Sequence, residues 1–261
     1  MLPEELVEKL PRLSHATDPD NEEAERIRRV ASFADEYIDQ LLESRWNPAT
    51  LPANWWQALL FWFSHSFYQG RRDDVSGMFE QRALGVIEDT LGATDLAALK
   101  SLAHSGLVEG GAFDERLRKA GVPKRFDRLM VMASLKLASE LSDGNLVSYS
   151  LGRIAAGDLE DHYHELMELP SVGPKISSFY LRDLDLMFDL SDHISESGYL
   201  SMQPIDVWVG RLASTMGIAS TYENTHGNRR QIVRACLRAG VDPNRFNVGA
   251  WWIGTRGIPI P

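Results

Sequence analysis

The sequence predicts a mainly α-helical protein, and three observations support this prediction. Apolar residues recur every three or four positions along most of the chain, as they do on the buried face of a helix. No segment alternates apolar and polar residues over the length of a half-buried strand. Glycines and prolines separate the periodic segments at short intervals. The 261 residues, 44% of them hydrophobic, suit one large domain or two small lobes that share a cleft.

The predicted helices follow one another along the chain. Residues 21–43 form the first, an amphipathic helix. Asn54 is a candidate N-cap for a strongly apolar helix over residues 55–68, because its side chain can accept a hydrogen bond from the first turn. Residues 69–74 are predicted to be a polar loop, and residues 146–149 are too few to assign as a strand. Further helices are predicted over residues 76–90, 94–105, 114–120, 124–141, 158–167, 175–188, 204–216, 231–239 and 246–252.

The composition excludes several classes of protein. With Cys236 as its only cysteine, the chain cannot form an internal disulfide, a Cys-based zinc site or an iron–sulfur cluster. We expect Cys236 to be a buried small residue. The net charge of −10 argues against a general nucleic-acid binder, although arginines gather in residues 211–245. The N-terminus lacks the pattern of a signal peptide, and the most apolar run, residues 55–63, is shorter than the roughly 20 residues of a membrane span. A cytoplasmic protein is expected.

The most informative segment is a predicted helix–turn–helix around residues 169–178. Pro170 ends the first helix, Gly173 provides a position free of Cβ clashes, and Pro174 suits the first turn of the second helix. Such a turn presents backbone N–H groups at the positive end of a helix, where they can bind a phosphate oxygen even in an acidic protein. The segment reads Leu169-Pro170-Ser171-Val172-Gly173-Pro174-Lys175-Ile176-Ser177-Ser178.

This segment resembles the helix-hairpin-helix element LPGVGxKTA of the HhH-GPD superfamily of DNA glycosylases, which includes endonuclease III and the 8-oxoguanine DNA glycosylases. Residues 203–212 resemble the superfamily's P-V-D-x-H-V-x-R stretch, and residues 120–126 resemble its G-x-x-x-K-A turn. The resemblance covers roughly residues 54–217. Two departures stand out: Ser171 replaces the first glycine of the hairpin, and an insertion lies around residues 185–199. The second stretch reads Gln203-Pro204-Ile205-Asp206-Val207-Trp208-Val209-Gly210-Arg211-Leu212.

The resemblance implies two helical lobes that flank a DNA-binding cleft. Residues 54–202, with the hairpin, would form the central lobe, and residues 1–53 together with 203–261 the second lobe. It also implies that Lys175 and Asp206 are the catalytic residues. The Asp206 carboxylate would stabilise the positive charge that develops on the sugar as the N-glycosidic bond breaks. The neutral amine of Lys175 would attack C1′ and form a Schiff base that leads to β-elimination. Burial favours a neutral amine, so we expect Lys175 to be buried.

The DNA-contacting and base-binding residues are predicted from the same resemblance. Gln69, in the polar loop, is expected to fill the gap left by the extruded base, because a base in duplex DNA must leave the stack to react. In having no iron–sulfur site, the chain resembles the 8-oxoguanine glycosylases. This resemblance favours an oxidised purine as substrate. The predicted DNA contacts also include Ser171, Val172, Gly173 and Arg211, and the predicted base pocket includes Ser64, His65, Trp208 and Trp251.

The remaining expectations concern partners and alternatives. We expect a monomer that binds damaged double-stranded DNA and has no cofactor, with a monovalent cation at the hairpin left open. One alternative is a helix-hairpin-helix protein that binds DNA without catalysis, and another is a glycosylase for a different modified base. No phosphate loop, metal-ligand cluster or Ser/His/Asp pattern supports a small-molecule enzyme.

Overall fold

The computed structural model describes residues 19–44, 46–68, 72–92 and 95–259, and these residues form helices and loops with no strand. The prediction of a mainly α-helical fold is therefore confirmed. Two short 3-10 turns, Leu51–Ala53 and Ser191–His193, join longer helices. The helices are α1 Pro19–Ser32, α2 Ala34–Ser44, α3 Trp55–Ser66, α4 Asp73–Leu91, α5 Leu96–Ser105, α6 Ala112–Lys119, α7 Arg125–Glu140, α8 Leu146–Ala155, α9 Leu159–Met167, α10 Pro174–Phe188, α11 Glu196–Ser201, α12 Val207–Thr215, α13 His226–Arg238 and α14 Pro243–Arg256.

Several predicted segments differ from the structure. The helix predicted over residues 21–43 is broken at Phe33, next to Ser32, whose hydroxyl donates to the Arg29 carbonyl at 2.8 Å. Such back-bonding competes with the helical ladder and bends helices. The loop predicted up to residue 74 already turns into α4 at Asp73.

Side-chain caps explain the other differences. Residues 146–149 begin the helix α8, because Asn145 accepts from the Ser148 N–H at 2.8 Å. The helix predicted to start at Pro204 starts instead at Val207, where Asp206 is the N-cap. Asn54 caps α3 by accepting from the Gln57 N–H, as predicted.

Buried apolar residues form two clusters. The larger cluster contains buried side chains of α3–α10 together with Trp46, Leu51 and Met202. The smaller cluster joins residues of α1 to those of α12, α13 and α14. Trp46 and Leu51, which the sequence assigns to the second lobe, thus pack in the larger cluster. The division of the chain into two lobes stays a prediction.

Helices α10 and α14 connect the two clusters. α10 packs against α3, α8 and α9 on one side and against α2 and α14 on the other. α14 packs against α1 so closely that a Cβ at Gly249 would lie 2.0 Å from the Val30 carbonyl oxygen. Only glycine allows that approach. Within the described ranges, no helix combines the length and the apolar character needed to cross a membrane.

Candidate functional site

The turn between α9 and α10 is held by its own backbone. The Val172 N–H donates to the Leu169 carbonyl at 3.0 Å, and Ser171 has a positive φ of 63°. This left-handed conformation is the one that favours glycine. Gly173 is extended, with a φ of −105°, and a Cβ there would meet no atom within 4 Å. The position whose backbone favours glycine is therefore Ser171. It is not Gly173, the position predicted from the sequence to need room around its Cα.

The N-terminus of α10 lies directly after this turn. No side chain caps it, and Pro174 lies in its first turn. The backbone N–H groups of Lys175 and Ile176 are therefore among those that lack an intrahelical acceptor. Gly173 and Ser171 are half-buried, whereas the side chain of Val172 is buried and its N–H already donates within the turn. Of the three predicted turn contacts, Val172 thus has no free donor.

Lys175 is exposed, which corrects the expectation that it is buried. It is the second residue of α10, where the side chain projects from the end of the helix. Its Nζ lies 5.4 Å from the ring centroid of Phe179, one turn later. Among the residues that the structure describes, no hydrogen bond or ion pair engages this amine. The amine is therefore accessible to a ligand without any rearrangement.

Asp206 is half-buried and uses one of its two carboxylate oxygens. Oδ1 accepts from the N–H groups of Trp208 and Val209, each at 2.9 Å, and so caps α12. Oδ2 has no hydrogen-bond donor within the described ranges. Asp206 is thus both a helix cap and a carboxylate with a free oxygen. No direct contact joins it to Lys175 in the part of the chain that is described.

The residues predicted to form a base pocket lie in separate environments. Ser64 donates to the Phe61 carbonyl at 2.7 Å within α3. Trp208 is 38% exposed and lies against α14 at Gly254. A Cβ added at Gly254 would lie only 2.5 Å from the Cβ of Trp208. Trp251 is half-buried and packs edge-on against Tyr37, with centroids 5.9 Å apart. No ring contact joins Trp208 to Trp251 among the described residues.

Of the two remaining predicted DNA contacts, the structure describes Arg211 but not Gln69. Arg211 is exposed, and its guanidinium carbon lies 5.6 Å above the Trp208 ring. Both are on α12, within two turns of Asp206. Gln69 lies outside the described residues.

His65 belongs to a buried ionic cluster that the sequence analysis missed. Its Nε2 lies 2.9 Å from Asp183 Oδ2, and the Tyr37 hydroxyl donates to the same oxygen at 2.7 Å. Arg182 donates to Asp183 Oδ1 through Nε at 2.9 Å and Nη2 at 2.7 Å. Burial opposes the charged form of Asp183, but Arg182, His65 and Tyr37 outweigh it and lower its pKa to about 2. The signal available in the sequence was a pair of charged residues inside an apolar helix.

A chain of side-chain amides extends this cluster towards Asp206. Arg182 Nη1 donates to Asn247 Oδ1 at 3.0 Å, and Asn247 Nδ2 donates to the Pro204 carbonyl at 3.3 Å. Pro204 precedes Asp206 by two residues. Helix α10, which carries Lys175, is therefore connected through Arg182 and Asn247 to the segment that positions Asp206.

The same amides reach a second buried carboxyl group. Gln203 Nε2 donates to Asn244 Oδ1 at 3.1 Å, and Asn244 Nδ2 donates to Asp185 Oδ2 at 2.7 Å. Burial, and then the nearby carboxylate of Asp242, raise the pKa of Asp185 to about 7. Asp185 therefore carries a proton over a pH range in which an ordinary aspartate is charged.

Aromatic rings and cations alternate along one face next to Lys175. The guanidinium carbon of Arg182 lies 4.7 Å from the centroid of Phe179 and 5.5 Å from that of Tyr37. Phe179 thus lies between Lys175 and Arg182, and Tyr37 extends the face to Trp251. The three rings are partly exposed. We call Lys175, Phe179, Arg182, Tyr37 and Trp251 the aromatic–cation face.

A Ser–His–Glu arrangement also exists, although the sequence showed no such pattern. His162 Nε2 lies 2.8 Å from Ser150 Oγ, and its Nδ1 lies 2.9 Å from Glu165 Oε2. Burial lowers the pKa of His162, so the ring is neutral at pH 7. Ser150 and His162 are each only 1% exposed, and Tyr180 covers the serine at 3.0 Å. The arrangement therefore connects α8, α9 and α10 and presents no nucleophile to a substrate.

Comparison with known proteins gives no relative: no protein-family model, no curated protein and no solved structure matches this chain. In the described residues, no group of three or more His, Cys, Asp or Glu side chains is arranged to hold a metal ion.

Proposed function

We propose that this protein is a DNA glycosylase with AP lyase activity, which excises an oxidised purine such as 8-oxoguanine from double-stranded DNA. The observation that carries the proposal is the position of Lys175, at the uncapped start of α10 and beside the aromatic–cation face. A glycosylase must hold an extruded base against flat apolar surfaces and read its edge with polar groups. Phe179, Tyr37 and Trp251, each partly exposed, provide such surfaces, and the buried Arg182 packs against Phe179 and Tyr37.

The two catalytic roles follow from the accessible atoms. Asp206 Oδ2 would stabilise the positive charge that forms on the sugar, while Oδ1 keeps the carboxylate in place as a cap. The Lys175 amine would attack C1′ as the base leaves with the electrons of the N-glycosidic bond. The resulting Schiff base allows loss of the C2′ proton and β-elimination of the 3′ phosphate. The protein needs no cofactor for these steps.

The proposed DNA contacts surround these two residues. The N–H groups at the start of α10 would bind a phosphate of the DNA backbone, with Ser171 and Gly173 forming the turn around it. A monovalent cation at the turn would be compatible with this role. Arg211 would contact the backbone near Asp206. The proposed architecture is two helical lobes that flank the DNA as a monomer, in the cytoplasm and at the nucleoid.

The decisive experiment is borohydride trapping on duplex DNA that contains 8-oxoguanine, an oxidised pyrimidine or an abasic site. Borohydride reduces a Schiff base to a stable covalent adduct, so we expect an adduct with the wild type and none with Lys175→Ala. The lesion that gives the adduct identifies the substrate class. No adduct and no base release from any of these DNAs would refute the proposal.

The Asp206→Asn variant is the matched control for the second residue. Asparagine caps a helix about as well as aspartate, so the fold is retained while the charge is lost. We expect base release from a lesion to fall sharply, with an unchanged unfolding midpoint. Base release by the wild type without adduct formation, abolished in Asp206→Asn, would indicate a glycosylase without lyase activity.

One alternative is favoured by a specific observation. Lys175 is exposed and has no partner in the described residues, as expected of a cation that only contacts DNA phosphates. In a non-catalytic helix-hairpin-helix protein, Lys175→Ala would weaken duplex binding equally for damaged and undamaged DNA. A glycosylase for another modified base would instead keep the trapping pattern but on a different lesion.

A further inference from the structure

The loop between α12 and α13 presents an exposed tyrosine. Tyr222 is 61% exposed, more than any other large hydrophobic side chain in the described residues. No hydrogen bond or ring contact engages its side chain within the described ranges. A single exposed aromatic residue is ordinary on a protein surface. Tyr222 differs from such a residue in the way that its backbone is held.

Asn228, near the start of α13, holds the backbone on both sides of Tyr222. Its Nδ2 donates to the carbonyl oxygens of Thr221, at 3.0 Å, and Glu223, at 2.7 Å. Asn228 is itself only 2% exposed, and Ser220 Oγ donates to its Oδ1 at 3.3 Å. The ring of Tyr222 therefore projects from a loop whose conformation is set by the hydrogen bonds of a buried amide.

The same loop is packed onto α12. A Cβ at Gly210 would lie 2.1 Å from the carbonyl oxygen of Tyr222, so only glycine allows the loop to lie against the helix at this point. Gly210 is one turn after Asp206, which caps the same helix. The position of Tyr222 relative to Asp206 is therefore set by the packing of one backbone on another.

The side chains of α12 beside this loop are also exposed. Val207 is 45% exposed and Trp208 is 38% exposed, and both follow Asp206 directly. The guanidinium carbon of Arg211 lies 5.6 Å above the Trp208 ring, as in a cation–π contact. We call Val207, Trp208, Arg211 and Tyr222 the Tyr222 surface.

The charge of this part of the chain favours an anionic ligand. Beyond Asp206, residues 207–231 contain three arginines and one acid, Glu223, which gives a formal charge of +2 in a chain of −10. Arg211 and Arg230 are exposed and have no ion-pair partner among the described residues. Aromatic rings interleaved with arginines bind unpaired nucleotides, because the rings stack on bases while the cations meet phosphates. An apolar protein partner would have no use for these charges.

We propose that Tyr222 stacks on an unpaired base of DNA bound at Asp206, while Arg211 and Arg230 contact the flanking phosphates. The inference rests on the proposed function, because extrusion of one base leaves its partner on the other strand unpaired and its neighbours unstacked. Tyr222 is then a specificity-determining residue, which favours DNA with an unpaired base over a fully paired duplex.

Fluorescence anisotropy with two labelled duplexes tests the inference. One duplex contains a tetrahydrofuran abasic analogue, which cannot form a Schiff base, and the other is fully paired. We expect Tyr222→Ala to weaken binding of the abasic duplex roughly 5- to 100-fold, the contribution of one base–aromatic stack, and binding of the paired duplex much less. Tyr222→Phe should bind as the wild type does, since it keeps the ring. Equal affinities of the wild type and Tyr222→Ala for the abasic duplex overturn the inference.

Two further variants separate stacking from a general loss of the surface. Arg230→Ala removes a phosphate contact, so we expect it to weaken binding of both duplexes alike and to reduce the dependence of affinity on salt. Tyr222→Ala should leave that salt dependence unchanged, and a reduced dependence would overturn the inference. Leu237→Ala removes another exposed apolar side chain, near the end of α13, and should bind as the wild type does. A loss equal to that of Tyr222→Ala would also overturn the inference.

The fold of Tyr222→Ala is expected to be intact. The bonds from Asn228 go to the carbonyl oxygens of the neighbouring residues, and the substitution leaves these in place. An unchanged thermal midpoint checks this. Tyr222→Phe provides the second comparison if the alanine variant is unstable, because a loss of affinity in a stably folded phenylalanine variant would contradict stacking.

A photochemical cross-link identifies the stacked residue directly. Iododeoxyuridine is placed in turn opposite the abasic residue and on either side of it, because on irradiation it bonds to an aromatic ring stacked on it. We expect the wild type to give a cross-linked peptide that contains Tyr222 at one of these positions, and Tyr222→Ala to give none there. Cross-links that form only at other residues overturn the inference.

Failure of the proposed function is recognised separately. A wild type that cross-links through Tyr222 but traps no lesion with borohydride refutes the glycosylase and supports the stacking role. Trapping by a wild type whose affinity does not depend on Tyr222 supports the glycosylase and overturns the inference. Absence of binding to either duplex overturns both. Self-association that Tyr222→Ala abolishes would in that case identify the Tyr222 surface as a contact between two copies of the chain.

Discussion

The start and the middle of α10 show opposite ways of using charged residues. At its start, Lys175 is exposed, lacks a partner in the described part of the chain and follows a turn whose strain lies at Ser171. Two turns later, Arg182 and Asp183 are each 3% exposed, and every charged atom has a hydrogen bond. Along this helix, the exposed charged side chain is free to bind a ligand, whereas the buried charged side chains fix the positions of their neighbours. Stability should therefore depend on the buried middle of the helix and chemistry on its exposed start.

The largest effect is expected from removing the central carboxylate. Asp183→Ala leaves Arg182 buried without its counter-charge and should lower the free energy of unfolding by about 3–5 kcal/mol. Lys175→Ala on the same helix should change it by less than about 0.5 kcal/mol, since the residue is exposed. Urea unfolding of both variants measures the contrast. Similar values for the two would contradict the comparison.

The second buried carboxyl group should make stability depend on pH. The pKa of Asp185 is about 7 in the folded protein, above that of an unfolded aspartate at about 3.9. Its protonation therefore stabilises the fold fully below about pH 4, and this contribution is lost as the pH rises through about 7. Asp185→Asn cannot titrate and should show a flatter curve, with a difference of roughly 1–3 kcal/mol accumulating between these limits. Unfolding at a series of pH values tests this, and parallel curves would refute it.

A smaller effect is expected at the half-buried N-cap of α12. Asp206→Ala removes the acceptor for the N–H groups of Trp208 and Val209 and should cost about 1 kcal/mol. Asp206→Asn should cost much less, because asparagine keeps the acceptor. Thermal unfolding of the two variants separates the cap from the charge. If both variants lose base release but only the alanine variant loses stability, the second oxygen is the one that matters for chemistry.

The smallest effect, and the only gain in stability, is expected at the turn. Ser171→Gly relieves a left-handed serine with a φ of 63° and should raise stability by roughly 0.5–1 kcal/mol. Gly173→Ala is the control, because Gly173 is extended and a Cβ there meets no atom within 4 Å. A thermal midpoint that falls in Ser171→Gly would show that the serine side chain contributes to the turn in some other way.

Much of the secondary structure was predictable because it depends on nearby residues. Asn54, Asp206 and Asp242 cap α3, α12 and α14 through side chains that reach only two or three residues ahead. Of these, only Asn54 was predicted as a cap. Asp206, Asp242 and Asn145 were overlooked, although they follow the same rule. The break at Phe33 was missed because helical periodicity continues across it, and the bend depends on the hydroxyl of Ser32.

The site was predictable only in part. The turn was located from its residues, whereas Asp206 was placed inside the helix that it caps. Lys175 and Asp206 stay predictions as catalytic residues. The burial expected for Lys175 was wrong, since a helix start at the surface is exposed whatever its sequence. Phe179 and Tyr37 were overlooked because aromatic residues at helical spacing are ordinarily core residues.

The sequence alone indicated that the chain is helical and roughly where most helices lie, because caps, prolines and apolar periodicity act over a few residues. The tertiary structure alone decided which polar groups meet, since His65 and Asp183 are 118 positions apart and Arg182 and Asn247 are 65 positions apart. No local pattern encodes such pairs. They form because buried donors and acceptors must find partners wherever the packed helices bring them together.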